Sequence, residues 1–134
     1  MAGSFALDMS KLINKTHSNV DKVTRKIVFD VMRSVIKKSP VDTGRFKGNW
    51  QYGTGEMPTG TLDIYDADGR GTQVHLMGQV PQQAAGKLHY IVNNLPYSIR
   101  IENGYSSQAP FGMVGLTISE YQGIVRQAAQ EVNP

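Results

Sequence analysis

The sequence predicts an α+β fold: a long N-terminal helix and a C-terminal helix packed on a small antiparallel β-sheet, with a long hairpin-like excursion. Three observations predict it. Apolar residues recur at helical spacing over residues 9–38. Large residues alternate with smaller or polar ones from Phe46 to Tyr52, and again after Leu88. A second helical stripe closes the chain over residues 111–132. Helices that cover one antiparallel sheet account for this order of elements.

The first helix takes Asp8 or Ser10 as its N-cap. Leu12, Ile13, Val20, Val23, Ile27, Val31 and Val35 mark its apolar face, and Lys11, Lys15, Lys22, Arg25, Lys26, Arg33 and Lys37 fall mainly between them. Lys37 and Lys38 complement the helix dipole in the last turn. Ser39 precedes Pro40, and the residue before a proline is pushed out of the α region, so the helix stops there. Asp42, Thr43 and Gly44 form an Asx-type turn. Phe46, Gly48, Trp50 and Tyr52 then alternate with Lys47, Asn49 and Gln51 as a strand.

Residues 53–87 break the pattern with many glycines, Pro58 and Pro81, and only "TLDIY" and "TQVHLMG" read as short strands. A long loop in a small domain is functional or disordered. "KLHYIVNN" is a strand, with Tyr90 and Val92 on one face and His89 and Ile91 on the other. "LPYSIRIENG" follows as another, with Tyr97, Ile99 and Ile101 on one face, and Asn103-Gly104 marks a turn. In the last helix Val114, Ile118, Tyr121, Val125, Ala128 and Val132 form an amphipathic stripe.

The 134 residues suit one domain, 1–134, with a modest core. There is no cysteine, so no disulfide, thiolate metal site or cysteine nucleophile exists. The start "MAGSFALDMSK" lacks the basic region and apolar core of a signal peptide. No apolar run approaches the ~18 residues of a membrane span. The net charge of +3 is polarised. Residues 1–47 carry ten basic and four acidic side chains, and residues 48–134 carry four basic and seven acidic. That split suits contact with DNA or an acidic protein surface, or a solvated basic helix face.

Residues for catalysis are sparse. His17, His75 and His89 lack metal-site spacing. Asp63, Asp66 and Asp68 resemble the start of a calcium loop, but the glycine comes early and the closing glutamate is missing. There is no phosphate-binding glycine fingerprint and no nucleophile elbow. Glu102 beside Arg100 reads as an exposed pair on a strand. The expectation is therefore a protein that is not an enzyme, with no cofactor and no metal. A nuclease or hydrolase using Asp63–Asp68 is the least favoured alternative. Candidates for contact with DNA or a neighbouring subunit are Lys22, Arg25, Lys26, Arg33, Arg45 and Lys47, together with Met57, Tyr65, Leu76 and Met77 of the excursion.

A long helix ending in "SPVDTGRFKGNW" resembles the phage tail-completion proteins, also called head–tail joining, neck or minor tail components. The matching residues are Pro40, Asp42, Thr43 and Gly44, then Tyr97, Ile99, Glu102 and Gly104 in "YSIRIENG", then Pro110 and Phe111, and the closing helix. The resemblance covers nearly the whole chain outside the excursion; after Pro-Phe the chain departs from the family with "GMVGLT". The resemblance implies a virion structural subunit. It would form a ring, commonly of six, between the capsid connector and the tail tube, with DNA passing through. The implied partners are other copies of itself, connector, adaptor or stopper proteins, and tail tube or terminator proteins. The alternatives are a small basic nucleic-acid-binding protein and a terminator-like subunit of the same junction.

Overall fold

Helix α1 spans Ala2–Lys38, a rod of about 55 Å. The computed structural model describes residues 2–133, with side chains from Ser18 onward. The expectations for the side chains of Asp8, Ser10, Lys11, Leu12, Ile13, Lys15 and His17 lie outside the described residues. The helix does not begin at residue 9. Between Ala2 and Asp8 only Gly3 disfavours helix, and aspartate or serine inside a helix costs only about 0.5–0.7 kcal/mol.

Val28, Met32, Val35 and Ile36 form the buried face of α1, at spacings of four, three and one. The expected line through Val20, Ile27 and Val31 runs along the flank: Val20 is exposed and the other two are half-buried. Met32, fully buried, sets the true centre of that face.

The chain then turns into α2 (Arg45–Gly48) and β1 (Trp50–Thr54). The expected strand from Phe46 therefore starts four residues late. Phe46 in α2 and Trp50 at the start of β1 are both buried, with rings edge-to-face at 5.9 Å. A spacing of four satisfies both as well as alternation does. The Ser39 hydroxyl donates to the Val35 carbonyl at 2.6 Å and accepts from Trp50 Nε1 at 2.8 Å. This buried pair ties the end of α1 to the start of the sheet. Trp50→Phe is expected to lower stability by about 1 kcal/mol through loss of that bond. Urea unfolding measures it, and an unmoved midpoint would show that the bond does not hold the corner.

β1 pairs antiparallel with β2 (His89–Asn93), Trp50 facing Asn93 and Thr54 facing His89. Between them, residues 61–65 take no regular form and residues 70–77 form α3 (Arg70–Met77), so both strands expected there are absent. Thr72 and Leu76 are buried with Val80, at steps of four, while Val74 is 72% exposed. Alternation required Val74 to be buried with its neighbours; helical spacing does not.

The expected strand at 97–101 is α4 (Ser98–Glu102), which buries Ile101 and leaves Ile99 74% exposed. The closing helix is two: α5 (Val114–Ser119) and α6 (Tyr121–Val132). It cannot start at Phe111, because Gly112 holds a left-handed φ of 77°. The Ser119 hydroxyl donates to the Leu116 carbonyl at 2.6 Å, a back-bond that bends helices, just before the break. α6 lies antiparallel along α1, with Lys38 bound to Glu120 at 2.9 Å and Lys26 to Glu131 at 3.2 Å. Six helices and one two-stranded antiparallel sheet thus form an α+β fold among the described residues. Helices from both ends of the chain meet the sheet in a cluster that includes Met32, Ile36, Trp50, Tyr52, Leu95 and Met113. Among the described residues no helix is long and apolar enough to cross a membrane.

Candidate functional site

The corner after α1 forms one wall of a cleft of about 290 Å³, lined by Pro40, Val41, Asp42, Thr43, Gly44 and Phe46. Its turn is not the expected Asx type. The Thr43 hydroxyl accepts from the Arg45 N–H at 3.3 Å, while Asp42 is exposed. Gly44 sits at φ 85°, and its carbonyl accepts from both Gly48 and Asp66 N–H at 3.0 Å. The corner therefore also anchors the middle of the excursion.

The opposite wall is α4 and the loop after it: Tyr97, Arg100, Ile101, Tyr105, Ser106 and Gln108. Tyr97 lies 6.2 Å from the Phe46 ring, and the Arg100 guanidinium lies over Tyr105 at 4.9 Å. Gln108 joins the walls. Its amide donates to the Val41 carbonyl at 2.9 Å, and its carbonyl accepts the Val41 N–H at 2.8 Å. Residues some sixty positions apart thus line one cleft. Sequence reading overlooked Gln108, whose one signal was a side chain able to match a strand's donor–acceptor pair.

Glu102 is not an exposed partner of Arg100. Its carboxylate accepts the N–H groups of Met113, Val114 and Gly115 at 2.9–3.0 Å and caps the start of α5. Burial alone would raise this carboxyl; the amides of Gly115, Met113 and Val114 outweigh it and hold it below its ordinary value. Gly104, at φ 90°, packs on Pro110, whose carbonyl would lie 2.5 Å from any Cβ there. Phe111 beside it is 77% exposed.

Asp66 does not sit in a purely solvated acidic turn. It is half-buried and accepts from Gly69 N–H, Thr72 N–H and the Thr72 hydroxyl, fixing the start of α3. Burial would raise it, and those donors, the Thr72 hydroxyl foremost, hold it below its ordinary value. Asp63 and Asp68 are exposed. Among the described residues no three His, Asp or Glu gather as metal ligands. His89 is used internally, 2.6 Å from the Tyr52 hydroxyl and 2.8 Å from the Ala84 carbonyl.

The basic candidates divide. Lys22 is exposed, and Arg33 reaches Asp30 at 3.0 Å. Lys26 bridges Asp30 and Glu131, both at 3.2 Å. Arg25 stacks on Phe29 and binds Gln82 at 3.2 Å. Arg45 and Lys47 are half-buried. Among the described residues of α1, Arg25, Lys26, Arg33 and Lys38 therefore have partners within the chain. The excursion divides too. Leu76 is buried in this chain's own core with Met77 packed against it, whereas Met57 and Tyr65 are exposed. Asn49, fully buried and not singled out by sequence, holds residue 62 at both its carbonyl and its N–H.

Ile99, Tyr105, Phe111 and Ile118 are each 67–77% exposed, and Val114 and Tyr121 are exposed as well. These apolar side chains all come from residues 99–121, and Tyr105 among them lines the cleft. Comparison with protein-family models, with curated proteins and with solved structures finds no match.

Proposed function

We propose that this chain is a virion structural protein, a ring-forming tail-completion or neck subunit that joins the capsid connector to the tail around the DNA passage. The observation that carries the reading is the band of exposed apolar side chains over residues 99–121. The apolar stripe of the last helix is only half used within the chain. Ala128 is buried, whereas Val114, Ile118 and Tyr121 face outward. Exposed apolar patches of this kind mark protein contacts. The reading also rests on the resemblance, whose residues Pro40, Asp42, Thr43, Gly44 and Tyr97 line one cleft, with Glu102, Gly104, Pro110 and Phe111 in the adjoining turn. The internal pairing of Lys26, Arg33 and Lys38 favours a contact protein over a free nucleic-acid-binding helix.

Electron microscopy of purified particles is expected to place the chain at the head–tail junction. Ile118→Asp, at a side chain 67% exposed, is expected to abolish its incorporation while leaving its melting temperature unchanged. Mature particles that lack the chain would overturn the proposal.

A further inference from the structure

A two-stranded sheet leaves two strand edges without a neighbour. The Gly55 N–H donates to the Leu88 carbonyl at 2.8 Å. Antiparallel pairs alternate between bonded and unbonded positions, so Leu88, Tyr90 and Val92 bond to β1. The backbone N–H and C=O groups of His89, Ile91 and Asn93 then point away from β1. None of these groups has a hydrogen-bond partner among the described residues. Beside this edge runs a second cleft of about 210 Å³, with Ile91, Ile99, Met113 and Val114 among its walls. An open edge supplies main-chain bonds, and an adjacent apolar groove supplies side-chain pockets. Those are the two requirements for adding a strand from outside.

The same chain carries a segment suited to that edge. "TLDIY", Thr61–Tyr65, is rich in strand-favouring residues yet forms no strand. Only Leu62 has its backbone bonded, to Asn49. Asp63, Ile64 and Tyr65 are exposed, and their backbone groups have no partner among the described residues. Charge is complementary as well. Among the described residues Asp63 has no cation within ion-pair distance, and the exposed Lys87 and Arg100, before and after β2, have no carboxylate.

We infer that residues Thr61–Tyr65 of one copy add as a strand to the outer edge of β2 in the next copy, placing Ile64 or Tyr65 in the groove. Donor segment and acceptor edge are different surfaces. The contact is therefore head-to-tail, the kind that closes into rings. The inference deepens the ring reading proposed above and rests on it.

Light scattering and amide hydrogen exchange on the intact chain test it together. The expected result is a mass that rises with concentration and an Ile91 amide that exchanges at least about tenfold slower in the assembly. Asp63→Pro removes an N–H unused within the subunit, so it is expected to return the monomer mass at an unchanged melting temperature. Assembly without slowing at Ile91 would overturn this contact and leave the ring reading standing. A chain monomeric at every concentration up to about 1 mM would overturn the contact as well. Electron microscopy of particles then judges the ring reading on its own. The Ile91 measurement uses the unaltered chain, so it decides even if Asp63→Pro fails to fold.

Discussion

Gly44→Val is expected to destabilise the protein by about 3 kcal/mol or more, a large part of the 5–15 kcal/mol that holds a typical domain. Two independent costs meet there. The backbone stands at φ 85°, a region that β-branched residues avoid. Any Cβ would also lie 2.6 Å from the Ala67 nitrogen and 2.8 Å from the Asp66 backbone. Those atoms cannot yield cheaply, because Asp66 N–H is bonded to the Gly44 carbonyl itself. Gly86→Ala separates the two costs. Gly86 has a similar φ of 74° but open space around its Cα. That variant should lose only about 1 kcal/mol. Guanidinium unfolding of both variants is the measurement. Equal losses would mean that the close approach at Gly44 is not tight in solution.

Glu102→Ala is expected to cost about 2 kcal/mol, since three backbone N–H groups lose one charged acceptor and only partly regain water. The effect should be local: the N-terminus of α5 frays and the amide of Met113, a residue 1% exposed, becomes exchangeable. Glu102 also predicts a pH dependence. Its folded carboxyl titrates below the ordinary 4.5, so the folded chain holds its proton less tightly than the unfolded chain. The stabilisation is complete above 4.5 and is lost as pH falls through the lower folded value. Asp66 acts with the same sign below its ordinary 3.8. Urea midpoints measured from about pH 6 to pH 3 should fall, and Glu102→Gln should flatten the upper part of that fall. A midpoint constant over this range would remove both carboxylates from the account.

The helix ends were legible where a residue acts on its own backbone. Pro40 stops α1 wherever the chain goes next, and Gly44, placed in the following turn from sequence, stands at φ 85°. The strand at residues 89–93 was legible because Tyr90 and Val92 alternate with His89 and Ile91 at a real sheet. The failures at 46–49, 72–77 and 97–101 share one cause. In short segments, spacings of two and of four place the same residues in line. Phe46 with Trp50, and Thr72 with Leu76, fit either period. Only a partner surface selects one.

The candidate site was legible in part. Pro40, Asp42, Thr43, Gly44 and Tyr97 were singled out from sequence, and they line one cleft. Gln108 and Asn49, which hold loops in place, were not legible, because a side-chain amide reveals its role only when a distant backbone lies opposite. The role of Glu102 was misread for the same reason. Its three partners come eleven to thirteen residues later.

By itself the sequence determined the class of fold, the long first helix and its stop, the corner that follows, and the split of charge along the chain. These depend on steric rules and periodicities acting over a few residues. The tertiary structure alone decided which face of each helix is covered, that α3 and α4 are helices, that Glu102 and Asp66 are helix caps, and that β2 keeps an open edge. Those outcomes depend on distant segments competing for the same apolar surface and the same backbone groups. No local pattern records that competition.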